Sequence, residues 1–224
     1  MFSLPANFIG IYKIGDNINY NLRILNFLYE LNNSPIDNYK KELLHKPIII
    51  IMASIGEAIL YDFHFRIKIF TIEGVNNLAK EVISYIRNKE IDEFEKLITS
   101  VKKHNLFGIA DNIFYEKLDF LRQIRNRIHI QNKKRLLPAD EHEIFTQDNV
   151  ELAELILEKI IKTMIVKFPR NIESSKYVSD FILPWNEYLR PITTAVKYTQ
   201  CPYCLFDNID DGSGMTQCWC GKIY

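Results

Sequence analysis

Cysteine is missing from the first 200 residues of this 224-residue chain, and all four cysteines fall at positions 201, 204, 218 and 220. This distribution excludes a disulfide framework spread through the main body of the fold, of the kind that staples small secreted domains. Four cysteines within so short a segment favour a metal site near that end of the chain.

Net charge is also missing, because 28 basic residues balance 28 acidic ones. A neutral chain has no overall attraction to nucleic acid, so any such binding needs a local basic patch. The densest apolar run, "PIIIIMAS" from Pro47 to Ser54, falls short of the ~18–20 residues that span a bilayer. The first ten residues, "MFSLPANFIG", lack a basic segment followed by a long apolar one. We therefore expect a cytoplasmic protein with no membrane partner.

Apolar residues make up 47% of the chain and charged residues 25%, as in a well-packed globular protein. Apolar side chains recur at helical spacing along most of it. Because a nearly continuous apolar stretch from Pro47 to Phe65 is too long for a strand, it predicts a central, buried helix. Pro47 is expected to break this helix or to begin it. Helices are predicted over residues 16–31, 37–65, 75–87, 91–104, 113–133 and from Thr146 to just before Pro169.

The segment "LRQIRNRIHIQN" places three arginines, an asparagine and a histidine within one of these predicted helices. On a helical wheel, Arg122 and His129 fall within about 20° of each other, with Arg125 and Asn126 on the flanks. Arg127 points elsewhere. The stripe is open to two interpretations, a solvated helix face or a set of groups directed at a phosphate.

The chemistry of these side chains suits a phosphodiester. Histidine, with an ordinary pKa near ~6.5, can accept or donate a proton at neutral pH. The planar guanidinium of arginine matches two phosphate oxygens and stabilises negative charge that grows in a transition state. From Arg122 to Arg135 the chain has six basic residues and no acidic one, which makes a local basic patch.

The pair Arg125–Asn126, the histidine shortly after it and the helical setting resemble the HEPN superfamily of nucleotide-binding and RNA-cleaving domains. The hallmark of that family is an arginine, four to six intervening residues and a histidine. Six residues separate Arg122 from His129, whereas only three separate Arg125 from it. The resemblance therefore implies that Arg122 is the obligatory arginine, with Arg125 and Asn126 as helpers. It also implies that Glu57, in the buried helix, approaches the stripe and orients His129 or an arginine.

The resemblance covers residues 35–170 and gives the predicted architecture. The fold is all-α, a HEPN-like helical bundle followed by a small zinc-ribbon-like module with four cysteines. Residues 1–34 form an N-terminal helical extension, residues 171–194 a linker that packs on the bundle, and residues 195–224 the module.

The resemblance implies metal-independent cleavage of RNA through attack of the ribose 2′-hydroxyl. The chain would be a ribonuclease, such as a toxin or antiviral defence effector, with RNA, a homodimer partner and a regulatory or antitoxin protein among its contacts. In the homodimer two Arg–His helices would face one cleft, so that one histidine acts as base and the other as acid. The alternative is a non-catalytic scaffold that keeps the fold and binds RNA, nucleotide or a partner protein.

The cysteines form a C-x2-C pair, Cys201 and Cys204, and a C-x-C pair, Cys218 and Cys220, separated by thirteen residues. Four thiolates at this spacing fit a tetrahedral, structural zinc ion, and the pattern resembles a zinc ribbon with a shortened second knuckle. Iron–sulfur ligation and a thiol redox pair are the other readings. The module would either cap the bundle or bind RNA or a protein through its aromatic residues, Tyr203, Phe206, Trp219 and Tyr224. If it carries the function, the chain is a zinc-dependent nucleic-acid-binding regulator.

Overall fold

A computed structural model describes the side chains of residues 1–69, 78–108, 112–129, 137–170 and 177–189, and the backbone of two strands at 198–200 and 207–209. The described residues are mostly helical, which agrees with the predicted all-α class. The elements are β1 (Phe2–Leu4), α1 (Tyr12–Asn33), α2 (Asn38–Ile69), α3 (Lys80–Arg87), α4 (Phe94–Lys103), α5 (Ile113–Asn126), a 3-10 turn (Glu141–Glu143), α6 (Gln147–Lys167), β2 (Phe181–Leu183), β3 (Tyr198–Gln200) and β4 (Asp207–Ile209).

Helix α2 is the centre of the fold, because every other α-helix of the described residues packs against it. Its apolar residues face several neighbours at once, so Ile49, Met52, Ile59 and Leu60 are completely buried. The core is one continuous cluster of buried residues that runs from Leu4 through the six helices to Trp185. The prediction of a central, buried helix is confirmed.

The expected break at Pro47 is wrong, because α2 continues through this proline without interruption. A proline inside a helix removes one hydrogen bond, here the bond to the carbonyl of Leu43 four residues earlier. The side chain of Leu43 is 58% exposed, so water can reach this part of the helix. Burial of the following apolar turns offsets what remains of the cost, so packing overrides the local preference.

By length and composition α2 is the one described helix that could cross a membrane, and half of its most apolar stretch is buried inside the fold. Core helices pass the same test. Within that helix Asp62, His64 and Arg66 all make hydrogen bonds to other elements. Such contacts mark α2 as the core helix of this bundle.

A short antiparallel sheet, which the sequence did not predict, pairs the first residues of the chain with a segment after α6. Phe2 of β1 lies opposite Leu183 of β2, and Leu4 lies opposite Phe181. Phe181 and Leu183 are completely buried, whereas Ile182 between them is exposed. Trp185 is also buried. This part of the predicted linker therefore packs on the helices.

The backbone that leads into α1 is held by buried charges of α2 and the end of α6. Asp62 accepts hydrogen bonds from the backbone N–H groups of Gly10 and Ile11, at 2.8 and 2.7 Å. Arg170 donates to the carbonyl of Ile9 at 2.9 Å. Burial raises the pKa of Asp62, while these two backbone hydrogen bonds and the nearby arginines lower it in part. Residues 7–11 are thus an integral part of the helical core.

A buried histidine links α2 to α4. The Nδ1 atom of His64 lies 2.7 Å from the carbonyl oxygen of Leu60, and Nε2 lies 2.9 Å from the hydroxyl of Ser100. Because a carbonyl only accepts, Nδ1 carries the proton and Nε2 accepts from Ser100. His64 and Ser100 are 1% and 0% exposed, so this pair holds the helices together and is closed to substrates.

Acid should weaken the fold through His64. Burial lowers the pKa of His64 from 6.5 to about 4, so the unfolded chain binds a proton more readily than the folded one. The free energy of unfolding should therefore fall as the pH drops from 6.5 towards 4, by roughly 3 kcal/mol at most, and the loss should level off below that. Urea unfolding across this pH range measures the effect.

The matched variants separate titration from packing. The difference between the native chain and His64→Gln should carry this pH dependence, since carboxylates common to both cancel. Ser100→Ala should lower stability at every pH yet retain the slope. A difference that does not vary between pH 4 and 6.5 would contradict the assignment.

Candidate functional site

Helix α5 ends at Asn126, seven residues before the predicted end at Lys133. Beyond it the backbone N–H groups bond to carbonyls three residues earlier, from Arg127 N–H to Ile124 O at 2.9 Å and from Ile128 N–H to Arg125 O at 3.1 Å. His129 lies in this turn and is exposed. The helical alignment of Arg122 with His129 is therefore wrong, because the wheel does not extend past Asn126.

Arg127, which the helical wheel directs away from the stripe, is buried directly after the end of the helix. Its side chain is 5% exposed and donates through Nη2 to the carbonyl of Ala139 at 2.7 Å. Its Nε and Nη1 atoms are buried without a hydrogen-bond partner in the described part of the chain. A cation at a helix C-terminus is favoured by the helix dipole. No sequence signal marked this residue, since its burial depends on a loop distant in sequence.

Arg122 is engaged in two ion pairs, one with Asp119 on its own helix and one with Glu95 on α4. Its Nε donates to Asp119 at 2.7 Å, and its Nη1 lies 3.4 Å from the carboxylate of Glu95. Burial tends to raise the pKa of Asp119, but hydrogen bonds from Arg122 and Gln123 hold it below its usual value. The side chain of Arg122 is only 12% exposed. These contacts leave Arg122 little freedom to bind a phosphate.

Arg125 pairs with Glu57, and the contact joins α5 to α2. The Nη2 atom of Arg125 donates to the carboxylate of Glu57, and its Nη1 lies 3.3 Å from the side-chain oxygen of Asn126. The side chains of Arg125 and Glu57 are 33% and 22% exposed, so solvent reaches both. Burial raises the pKa of Glu57, and the positive charge of Arg125 opposes the rise.

Within the described residues, the guanidinium of Arg125 keeps donors to spare. Arginine has five N–H groups, and two of them are used by Glu57 and Asn126. Asn126 is exposed beside it, and the turn that carries His129 follows directly. Half-exposed arginine, amide and histidine groups at the end of one helix can contact an anion without any rearrangement of the core.

The cysteines predicted to hold zinc, Cys201, Cys204, Cys218 and Cys220, lie outside the described residues. Two strands nearby are described: β3 pairs antiparallel with β4, with Tyr198 opposite Ile209 and Gln200 opposite Asp207. In the sequence, Cys201 and Cys204 fall between these two strands.

Another group of candidate metal ligands lies around the 3-10 turn. One ligand atom from each of Asp140, His142 and Glu143 comes within 4.8 Å of the other two. All three residues are exposed. Exposed acidic groups commonly adopt such arrangements without a metal, so this group carries no assignment.

Comparisons of the chain with protein-family models, with curated proteins and with solved structures found no match. The HEPN resemblance thus rests on the sequence pattern alone.

Proposed function

We propose that the chain is a metal-independent endoribonuclease of the HEPN type, with Arg125 as the phosphate-binding residue. The observation that carries the proposal is the Glu57–Arg125 ion pair between α2 and α5. It holds a solvent-accessible guanidinium at the end of the helix, next to Asn126 and close in sequence to an exposed histidine. Buried ion pairs with a purely structural role are common, but solvent reaches both side chains of this pair, and the arginine keeps donors that no described residue accepts.

In the proposed reaction the ribose 2′-oxygen attacks the adjacent phosphorus, and the bond from phosphorus to the 5′-oxygen breaks. The products are a 2′,3′-cyclic phosphate and a 5′-hydroxyl. His129 takes the proton of the 2′-hydroxyl or donates one to the leaving oxygen. Arg125 and Asn126 bind the phosphate oxygens and stabilise the added negative charge. Glu57 is a positioning residue that fixes the guanidinium of Arg125.

The division of roles differs from the one that the family spacing implies. Arg122 has the family spacing to His129, but Asp119 and Glu95 already hold its guanidinium. We therefore propose a structural role for Arg122, which supports the helix on which Arg125 is mounted. The zinc-ribbon-like module would dock the substrate or a partner protein, and its zinc would be structural.

A second function, a non-catalytic scaffold that binds RNA or nucleotide, is favoured by the position of His129. The histidine lies beyond the end of α5 and outside the stripe that the family pattern requires. An arginine and an amide without an aligned histidine would bind a phosphate but would not cleave it.

RNA cleavage in excess EDTA should decide between these functions. Purified chain is incubated with single-stranded and structured RNA, and the 3′-ends are analysed for cyclic phosphate. The proposal expects metal-independent cleavage that falls by about 100-fold or more in His129→Ala, because that variant removes the proton-transfer group.

His142→Ala is the matched control, since His142 is another exposed histidine in a surface turn. Its activity should stay at the native level. If no RNA is cleaved but RNA binding is intact and weakened by Arg125→Ala, the scaffold function holds. Loss of binding in Cys218→Ser with Arg125→Ala unaffected would instead assign the function to the cysteine module.

A further inference from the structure

The outward face of α1 carries a row of apolar side chains, which we call the α1 stripe: Tyr20, Ile24, Phe27 and Leu31. Tyr20 is 64% exposed and Phe27 58% exposed. Ile24 and Leu31 are partly buried, yet neither belongs to the side chains that pack on the hydrophobic core. An apolar row of this kind on a helix with its own buried face marks an interaction surface.

The other faces of α1 are already used within the chain. Leu22 and Leu25 are buried in the core against α2. The side-chain amides of Asn19 and Asn26 donate to backbone carbonyls in and just before β2. At about 100° per residue, the α1 stripe lies on the side of the helix opposite to the core. Among the described residues, it therefore has no role in the internal packing of α1.

We propose that the α1 stripe docks against the α1 stripe of a second copy of this chain, with the two helices antiparallel. The spacings of four, three and four residues read the same in both directions, as a two-fold symmetric contact requires. The axis places Ile24 opposite the partner's Phe27 and Tyr20 opposite the partner's Leu31. Each aromatic side chain then meets an aliphatic one, in the spacing of a coiled-coil seam.

Charges beside the stripe select the antiparallel arrangement. Arg23 and Glu30 lie on the same flank, two turns apart, and both are exposed. Neither makes an ion pair with any described residue. In an antiparallel pair identical flanks face each other, so Arg23 meets the partner's Glu30 and Glu30 meets the partner's Arg23. A parallel pair would keep these flanks apart and lose both contacts.

This interface is separate from the candidate site. Asp62, which holds the chain entering α1, and Glu57, which meets α5, are five residues apart on α2. They therefore project about 140° apart around that helix. Pairing through α1 leaves the Glu57–Arg125 pair outside the contact, unlike a dimer in which two copies of α5 share one cleft. The inference does not depend on the proposed function.

Sedimentation velocity of the full chain tests the pairing. A helix of 22 residues is about 33 Å long, so the contact is small and a dissociation constant in the micromolar range is expected. The native chain should dimerise as its concentration rises from about 1 to about 300 μM. Phe27→Glu should raise the dissociation constant by about tenfold or more, because it buries a charge in the seam. Tyr39→Glu, at an exposed tyrosine on α2, is the matched control and should leave it unchanged.

A charge-exchange mixture tests the register. Arg23→Glu and Glu30→Arg should each weaken self-association about threefold to tenfold, since each places like charges together. An equimolar mixture of the two variants should recover native association, because every cross-pair is again opposite in sign. A native chain that stays monomeric throughout, a dimer indifferent to Phe27→Glu, or a mixture that fails to recover would each overturn the proposal. Circular dichroism verifies that every variant is folded.

Discussion

Arg125→Ala should reduce RNA cleavage by roughly 100-fold or more while costing little stability, and Arg122→Ala should do the reverse. The guanidinium of Arg125 is one-third exposed and has donors to spare, so its loss removes phosphate stabilisation. Arg122 is largely buried between Asp119 and Glu95. Its loss removes both ion pairs and the packing of the arginine side chain, and should lower the free energy of unfolding by about 1 kcal/mol. Cleavage rates and urea unfolding, measured on the same preparations, give both quantities.

Conservative variants separate charge from geometry. Arg125→Lys keeps the charge but loses the planar fork, so it should restore only part of the activity. Glu57→Gln keeps an oxygen that can accept from Arg125 and should retain most of the cleavage, whereas Glu57→Ala should not. Equal losses of cleavage in Arg122→Ala and Arg125→Ala at unchanged stability would return the phosphate-binding role to Arg122. If no cleavage is found at all, RNA binding by the same variants replaces it as the measured quantity.

The helices could be predicted from sequence because their signal is local. The apolar stretch of α2 and the threonine that begins α6 are both readable from spacing alone. Thr146 does cap α6, since its hydroxyl accepts from the N–H of Asn149. The prediction at Pro47 was wrong for a physical reason. The local cost of a proline inside a helix is offset by tertiary packing, and a single sequence does not show that packing.

The candidate site was less predictable because it depends on where α5 ends. The predicted alignment of Arg122 with His129 required a continuous helix from 113 to 133. The helix instead ends at Asn126, and the next residue, Arg127, bonds to the carbonyl of Ala139, a contact that no local periodicity encodes. The approach of Glu57 to an arginine of this helix followed from the family resemblance, but the identity of that arginine needed coordinates. The strands β1 and β2, three residues each, are too short to show alternation.

A second buried network, on α6, holds the segment after β2 against the helices. Glu158 is completely buried. Its carboxylate accepts from the ammonium group of Lys162 at 2.8 Å, from the indole N–H of Trp185 at 3.3 Å, and from the backbone N–H groups of Tyr188 and Leu189 at 3.2 and 2.7 Å. One side chain therefore satisfies four donors, three of which belong to the segment after β2.

Glu158→Ala should destabilise the fold strongly, by roughly 2–4 kcal/mol. It leaves the buried ammonium group of Lys162 with Glu187 as its remaining carboxylate partner, and it leaves the part-buried N–H groups of Tyr188 and Leu189 without their acceptor. Urea unfolding gives the size of the loss. Hydrogen exchange at Tyr188 and Leu189 should accelerate as well, because their N–H groups lose the bond that protects them.

Two further variants identify the cause of that loss. Glu151→Ala removes an exposed glutamate from the same helix and should change stability by less than about 0.5 kcal/mol. Lys162→Met in the Glu158→Ala background should recover part of the loss, because the buried cation, which then has only Glu187 as a partner, is gone, so the two changes should not be additive. A loss below about 1 kcal/mol for Glu158→Ala, or unchanged exchange at Tyr188 and Leu189, would mean that apolar contacts such as those of Trp185 hold this segment in place without the carboxylate.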